Sequence, residues 1–272
     1  MKVAALQMVS TGDLQDNLRT ARALLEQAAA GGAELAVLPE YFCLIGLKDS
    51  DKLAIQEPFG KGPIQDAMAL AARELGLWIV AGTLPLSASQ PDHVFNSSLA
   101  FNPHGECVAR YDKIHLFRFN NGTESYDESR VLERGNTPTV FSLPSKDGVT
   151  WSVGLSVCYD MRFAELYRDY ASRGVDLILA PSAFTHTTGE AHWEVLLRAR
   201  AIENLCFVAA AAQGGVHPSG RKTWGQSVLI DPWGTVLAQQ AQGAGVVLAD
   251  LDYARLQQCR TQLPALQHRV LG

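Results

Sequence analysis

A chain of 272 residues with 47% hydrophobic content can supply a large core, and a charged fraction of 19% is too low for a solvated, disordered polymer. Its net charge of −5 provides no basic surface, which argues against nucleic acid and anionic membranes as partners. No apolar run approaches the ~20 residues that cross a bilayer, and the opening stretch turns polar at Ser10, Asp13 and Asp16, too early for a signal peptide.

Residues 3–8 read as a strand. Asp13 is placed to cap a helix whose apolar positions Leu14, Leu18, Ala21, Leu25 and Ala28 follow helical spacing, with Gly31-Gly32 as its stop. Leu35-Ala36-Val37-Leu38 is a buried strand halted by Pro39, with Glu40 beyond its carboxyl end. A helix over about 63–75 and a strand over 77–81 follow, and residues 107–111 form another strand, with Lys113 just past it. From about 120 to 148 the chain is rich in Asn, Gly, Ser, Pro and charge, and is expected to be a loop. The order then repeats: strand 151–158, helix 162–172, strand 175–180 stopped by Pro181, a helix through Trp193, Leu196, Leu197 and Ala201, and strand 207–212.

Local matches sharpen the parallel. Residues 32–39 align with 174–181, and Asn102-Pro103-His104-Gly105 aligns with the hairpin turn Asp231-Pro232-Trp233-Gly234. The reading is therefore an α/β fold of two similar halves, each a sheet with helices on one face, whose free faces bury each other in a four-layer α-β-β-α sandwich. Neither half has another partner for its sheet, so residues 1–272 form one domain in this reading. The five cysteines, odd in number and without a CxxC pair, point to reduced thiols in a cytoplasmic protein.

Cys158 ends an apolar run, and Tyr159-Asp160-Met161-Arg162 leads away from it. Position alone leaves two readings: a nucleophile at a strand-to-helix turn whose pKa a helix N-terminus or a cation lowers, or a small buried thiol. Glu40 reads either as a functional acid at the carboxyl edge of the sheet or as a loop carboxylate. Lys113, between apolar residues, is either buried or a snorkelling surface lysine.

Taken together, these segments resemble the nitrilase superfamily of carbon–nitrogen hydrolases. The resemblance rests on Leu38-Pro39-Glu40, Tyr111-Asp112-Lys113-Ile114-His115-Leu116-Phe117 and Val157-Cys158-Tyr159-Asp160-Met161-Arg162-Phe163, and it covers essentially the whole chain. It implies the same four-layer sandwich, a Glu40–Lys113–Cys158 triad, a supporting Glu128, no metal or other cofactor, and homodimers or larger homo-oligomers. Within the family the amidase branch is most similar, because Tyr159-Asp160 follows the cysteine where true nitrilases usually carry Trp-Glu. The chain resembles the branch of deaminated-glutathione amidases, which Pro181-Ser182-Ala183-Phe184 and Ala209-Ala210-Ala211-Ala212-Gln213 favour, with omega-amidases close behind, so the expected partner is a small amide bearing a carboxylate. Ala164 and Glu190 stand where the family often has proline.

For substrate contacts the candidates are Tyr159, Thr185 and His186, with Arg118 or Arg130 available to hold a carboxylate; spacing fixes none of the threonine, histidine and arginine roles, and a solvated-loop position is equally open for each. Tyr159 is also expected to supply a backbone N–H to an oxyanion. Three rival readings are carried: a Cys–His hydrolase using His115 or His192 as base, a catalytically silent binding protein, and a P-loop at residues 215–223. In the last, Arg221 displaces the required lysine by one place and a strand follows where a helix is needed. His192 itself reads as a hydrogen-bonded pocket or core histidine.

Overall fold

Alternation along the first strand already separates two layers of core. In the computed structural model, which describes residues 1–271, β1 (Lys2–Gln7) turns Val3 and Ala5 toward one hydrophobic cluster and Ala4 and Leu6 toward another. Successive strand side chains point to opposite faces, so a strand apolar on both must be covered on both. The Ala4 side packs on α1 (Leu14–Ala30) and α2 (Pro63–Leu75), through Ala21, Leu25, Ile64 and Met68. The Val3 side meets a second sheet.

The first sheet continues through β2 (Leu35–Val37), β3 (Trp78–Val80), β4 (Leu84–Ser87), β5 (Val94–Phe101) and β6 (Cys107–Asp112). Strands β1, β2 and β3 are parallel; β5 returns antiparallel to β3 and pairs with β4 and β6. Asp13 caps α1 by accepting from the Asp16 N–H at 2.9 Å, and Gly32 follows the helix at φ 80°, a conformation that costs glycine little.

The segment expected to be a loop is not one throughout. A small hairpin of β7 (Arg118–Asn120) and β8 (Ser125–Asp127) spans its start, and it contains the short β9 (Leu132–Glu133) and the six-residue β10 (Thr139–Pro144). β10 pairs antiparallel with β11 (Thr150–Leu155). As an edge strand ending in proline, it alternates buried Phe141 and Leu143 with exposed Ser142, a pattern hidden among polar neighbours.

The second sheet runs β10, β11, β12 (Leu177–Leu179), β13 (Phe207–Ala210), β14 (Ser227–Ile230), β15 (Val236–Gln240). Between its strands lie α3 (Ala164–Ser172) and α4 (His186–Asn204), which cover its outer face with Leu166, Tyr170, Trp193 and Leu197. The expected strand 151–158 stops at Leu155, and residues 158–162 form a 3₁₀ turn, so α3 starts later than the pattern implied.

The internal repeat is visible in the hydrogen bonds. β2 and β12 each lie between two parallel neighbours. In the two Pro-x-Gly hairpins, Asn102 Oδ1 accepts from the N–H groups of His104 and Glu106, both at 3.0 Å, and Asp231 Oδ1 accepts from Trp233 and Thr235 at 2.9 and 2.8 Å. One element breaks the division. β16 (Gly245–Asp250) returns from the far end of the chain to pair antiparallel with β1, and α5 (Tyr253–Gln262) follows it. Two mixed sheets flanked by helices result, with Val3, Leu35, Val37 and Val80 of the first in one cluster with Trp151, Val153 and Leu177 of the second. No helix among the described residues is long and apolar enough to cross a membrane. All five cysteines are free thiols, and of these Cys107 alone is exposed.

Candidate active site

Glu40 owes its position to crowding beyond β2. Gly82, at φ 31°, passes so close that a Cβ there would lie 2.0 Å from the Pro39 carbonyl oxygen, a space only glycine fits. Thr83 Oγ1 then accepts from the Tyr41 N–H at 2.8 Å, and Gln213 Nε2 donates to the Glu40 carbonyl at 3.0 Å. The Glu40 side chain, 1% exposed, is fully engaged. Its Oε1 accepts from Asn96 Nδ2 and Lys113 Nζ, each at 2.9 Å, and its Oε2 accepts from the Ala183 N–H at 2.9 Å.

Lys113 is not a snorkelling lysine. Its N–H continues the sheet by donating to Asn96 at 3.0 Å, and its ammonium is fully enclosed between two carboxylates. Glu128, on the 3₁₀ turn after β8, brings Oε1 and Oε2 to 2.9 and 2.8 Å from Lys113 Nζ. It also accepts from Tyr41 Oη at 2.8 Å and the Phe117 N–H at 2.7 Å. Burial works against charge on both partners, yet the attraction wins. The Lys113 pKa is raised by Glu128 and Glu40, and the Glu128 carboxyl is held below its usual range, chiefly by Lys113.

Cys158 reaches this cluster from the other sheet. After β11 the chain stays beside β12, with the Ser156 N–H donating to Leu179 at 3.0 Å and the Cys158 N–H to Pro181 at 2.9 Å. The cysteine sits at φ 50°, a left-handed conformation that β-carbon sterics disfavour, and Tyr41 beside Glu40 is at φ 56°. Asp160, fully buried, ties the turn: it accepts from the Val157 N–H at 2.8 Å, Tyr111 Oη at 2.7 Å and the His115 N–H at 3.0 Å. The thiol pKa lies well above its ordinary value, through burial first and the Glu40 charge second, with Lys113 pulling the other way. Position had left a lowered pKa and a buried thiol both open, and here burial has the larger effect. Desolvation outweighs the cation.

Glu40, Glu128, Cys158, Tyr159, Arg162, Thr185 and Arg221 all line one pocket, together with Phe117, Ala183, Phe184 and Thr188. Tyr159 presents its ring edge-on to Phe117 at 5.2 Å and Phe163 at 5.3 Å. Thr185 lines the wall, but its hydroxyl is already used as the N-cap of α4, 3.3 Å from the Thr188 N–H and 2.9 Å from Thr188 Oγ1. His186 is absent from the lining; it is exposed, edge-on to Trp224 at 5.0 Å.

Arg118 and Arg130 are exposed beside Asp127, outside the pocket. The arginines that do line it are Arg162 and Arg221, neither expected from the sequence. The cue for Arg221 was a polar residue in a near P-loop, and that loop forms no phosphate cradle: Val216 bridges Lys222, and β14 follows. Asn96 was equally missed; it stands with Ser97 and Ser98 as a buried polar run within β5. His115 places Nδ1 2.7 Å from Asp160 and stacks on Phe163 at 3.7 Å. His192 is exposed instead of buried, 3.2 Å from Arg162 Nη1. Among the described residues no group of three or more His, Cys, Asp or Glu side chains is arranged to hold a metal ion.

A buried acid, an enclosed ammonium and a thiol at a strained turn between two α/β layers define a class, and the chain belongs to the carbon–nitrogen hydrolase family, which it matches over residues 2–261. It is 40% identical over 270 residues to a deaminated glutathione amidase of Synechocystis sp., covering 98% of this chain and 97% of that one. Its fold superposes on Nit3 of Saccharomyces cerevisiae, a member of branch 10 of the nitrilase superfamily, with TM-score 0.85, 28% identity and coverage of 97% and 94%. A mutant amidase of Nesterenkonia sp. AN1, which carries the result of Michael addition of acrylamide at its active-site cysteine, superposes with TM-score 0.77, 27% identity and coverage of 97% and 98%.

Proposed function

We propose that this chain, as one domain over residues 1–272, hydrolyses the amide bond of a small carboxylate-bearing substrate, of the deaminated-glutathione kind, through a thioester on Cys158. The observation that carries this reading is the enclosed Lys113 ammonium bonded at 2.9 Å to Glu40 and at 2.8 Å to Glu128, two carboxylates that line one pocket with Cys158. A thiol kept neutral by burial needs a base as it attacks, and Glu40 is the buried carboxylate whose charge acts most strongly on it.

In the proposed sequence, Cys158 Sγ adds to the amide carbon as its proton passes to Glu40. Lys113, with the Tyr159 N–H, stabilises the tetrahedral oxyanion; one such donor is typically worth about 2.7–4 kcal/mol. Glu40 returns the proton to nitrogen, the amine or ammonia leaves, and Glu40 then activates the water that cleaves the thioester to a carboxylic acid. Glu128 is a positioning residue: four hydrogen bonds fix its carboxylate, and two of them aim Lys113. The chain acts as a homodimer or larger homo-oligomer in this reading.

Product release measured across deaminated glutathione, α-ketoglutaramate, simple aliphatic amides and nitriles tests it. Deaminated glutathione is expected to give the highest kcat/KM. Preference for α-ketoglutaramate supports omega-amidase chemistry, and release from none of them leaves a silent binding protein.

A further inference from the structure

Beside the thiol there is about 10 Å³ of water-accessible space, room for little more than one water molecule. A substrate longer than its reacting amide group has to extend beyond that space. Next to it lies a cavity of about 480 Å³, within the size range of ligand pockets, and Arg221 forms a wall of both. Tyr41 also lines the larger space while its hydroxyl donates to Glu128 at 2.8 Å.

The character of this second cavity is cationic. Lys48, Lys52 and Arg221 line it against a single carboxylate, Asp49. Lys52 is 12% exposed, stands 4.6 Å above the Tyr41 ring and has its ammonium as far as 4.0 Å from Asp49, which is largely in solvent. Arg221 uses one Nη2 hydrogen bond, 3.1 Å to the Ala183 carbonyl, while its Nε is buried without a partner among the described residues. Buried cationic donors of this kind are costly unless an acceptor meets them.

We infer that the Lys52–Arg221 cavity is a subsite for a carboxylate carried on the far end of the substrate, several bonds from the scissile carbonyl, and that it selects elongated anionic amides over short neutral ones. This rests on the amidase reading above and deepens it. Arg221 supplies a planar fork suited to a carboxylate, Lys52 a second charge, and the Tyr41 and Tyr126 rings flank the connecting chain.

The test compares a peptide-like ω-amide ending in a free carboxylate with its methyl ester, by kcat/KM for amine release. In the wild type the carboxylate is expected to be preferred at least tenfold. Lys52→Met and Arg221→Met should each reduce that ratio at least fivefold, mainly through KM, and Lys52→Arg should restore most of it. A wild-type ratio near one overturns the inference without any variant, as does an unchanged ratio in folded Lys52→Met and Arg221→Met. If the wild type cleaves neither compound nor any simple amide, the amidase reading itself has failed, a distinguishable result.

Discussion

Replacing Lys113 with methionine tests the charge cluster most directly. At an effective dielectric near 20, one charge pair at 2.9 Å attracts by ~6 kcal/mol, and Lys113 makes such contacts with both Glu40 and Glu128. Desolvation offsets much of this, so the net cost of removing one partner of a buried ionic group is about 3–5 kcal/mol. That is a large part of a typical domain stability of about 5–15 kcal/mol. Lys113→Met removes the cation that holds the buried Glu128 carboxyl below its usual range, and leaves burial to push it up. The folded pKa of Glu128 then rises above the unfolded value of about 4.3, so the penalty is small near pH 4 and grows as pH increases. The wild type responds in the opposite sense. Glu128, held below its usual range, contributes stability that is present above about pH 4.3 and lost as pH falls through its folded value. Urea unfolding of both proteins between pH 4 and 8 measures the two slopes. Turnover of the variant should fall at least ~10²-fold with the loss of an oxyanion donor. A variant with wild-type stability and an unaltered pH profile would refute the description of Lys113 as the counter-charge of two buried acids.

Three further outcomes follow from the geometry. Cys158→Ala should abolish amine release with little change in thermal midpoint, because the removed thiol is small; retained turnover excludes it as nucleophile. Glu40→Gln should cut kcat by ~10²–10⁴-fold, since the amide cannot shuttle the proton and aims an N–H at either the Ala183 N–H or the Lys113 ammonium; full activity removes Glu40 from proton transfer. Above pH ~8.5 the protein should weaken progressively. Burial pushes the Cys43 and Cys206 thiols up to about 12 and Cys158 well above its ordinary value, so their neutral forms are what the fold accommodates. Stability is complete below the unfolded thiol value and lost as pH rises toward the folded ones, at about 4 kcal/mol per pH unit for three thiols; a flat unfolding midpoint from pH 8 to 10 contradicts the burial of these groups.

Much of the architecture was legible because it is written in short-range pattern. A strand apolar on every residue must be covered on both faces, and Leu35-Ala36-Val37 states this without any tertiary information. The paired Pro-x-Gly hairpins exposed the repeat for a similar reason: an Asn or Asp that caps its own turn does so wherever the sequence recurs. Glu40, Lys113, Glu128 and Cys158 were named through motif resemblance, which records spacing and residue type. Position alone had left Glu40, Lys113 and Cys158 open and gave no signal for Glu128.

What sequence could not supply is everything that depends on two distant segments meeting. The pairing of β16 with β1 joins opposite ends of the chain, so it could not be read within either strand's own window. The choice of Arg162 and Arg221 over Arg118 and Arg130 is of the same type, since all four are equally polar in one dimension. The thiol supplies the sharpest case. Residue type allowed a pKa shift in either direction, and the sign was decided by how much burial, a carboxylate and an ammonium each contribute once the fold has enclosed them. Local pattern determines which faces must be buried; the three-dimensional packing determines which charges share the space that burial creates.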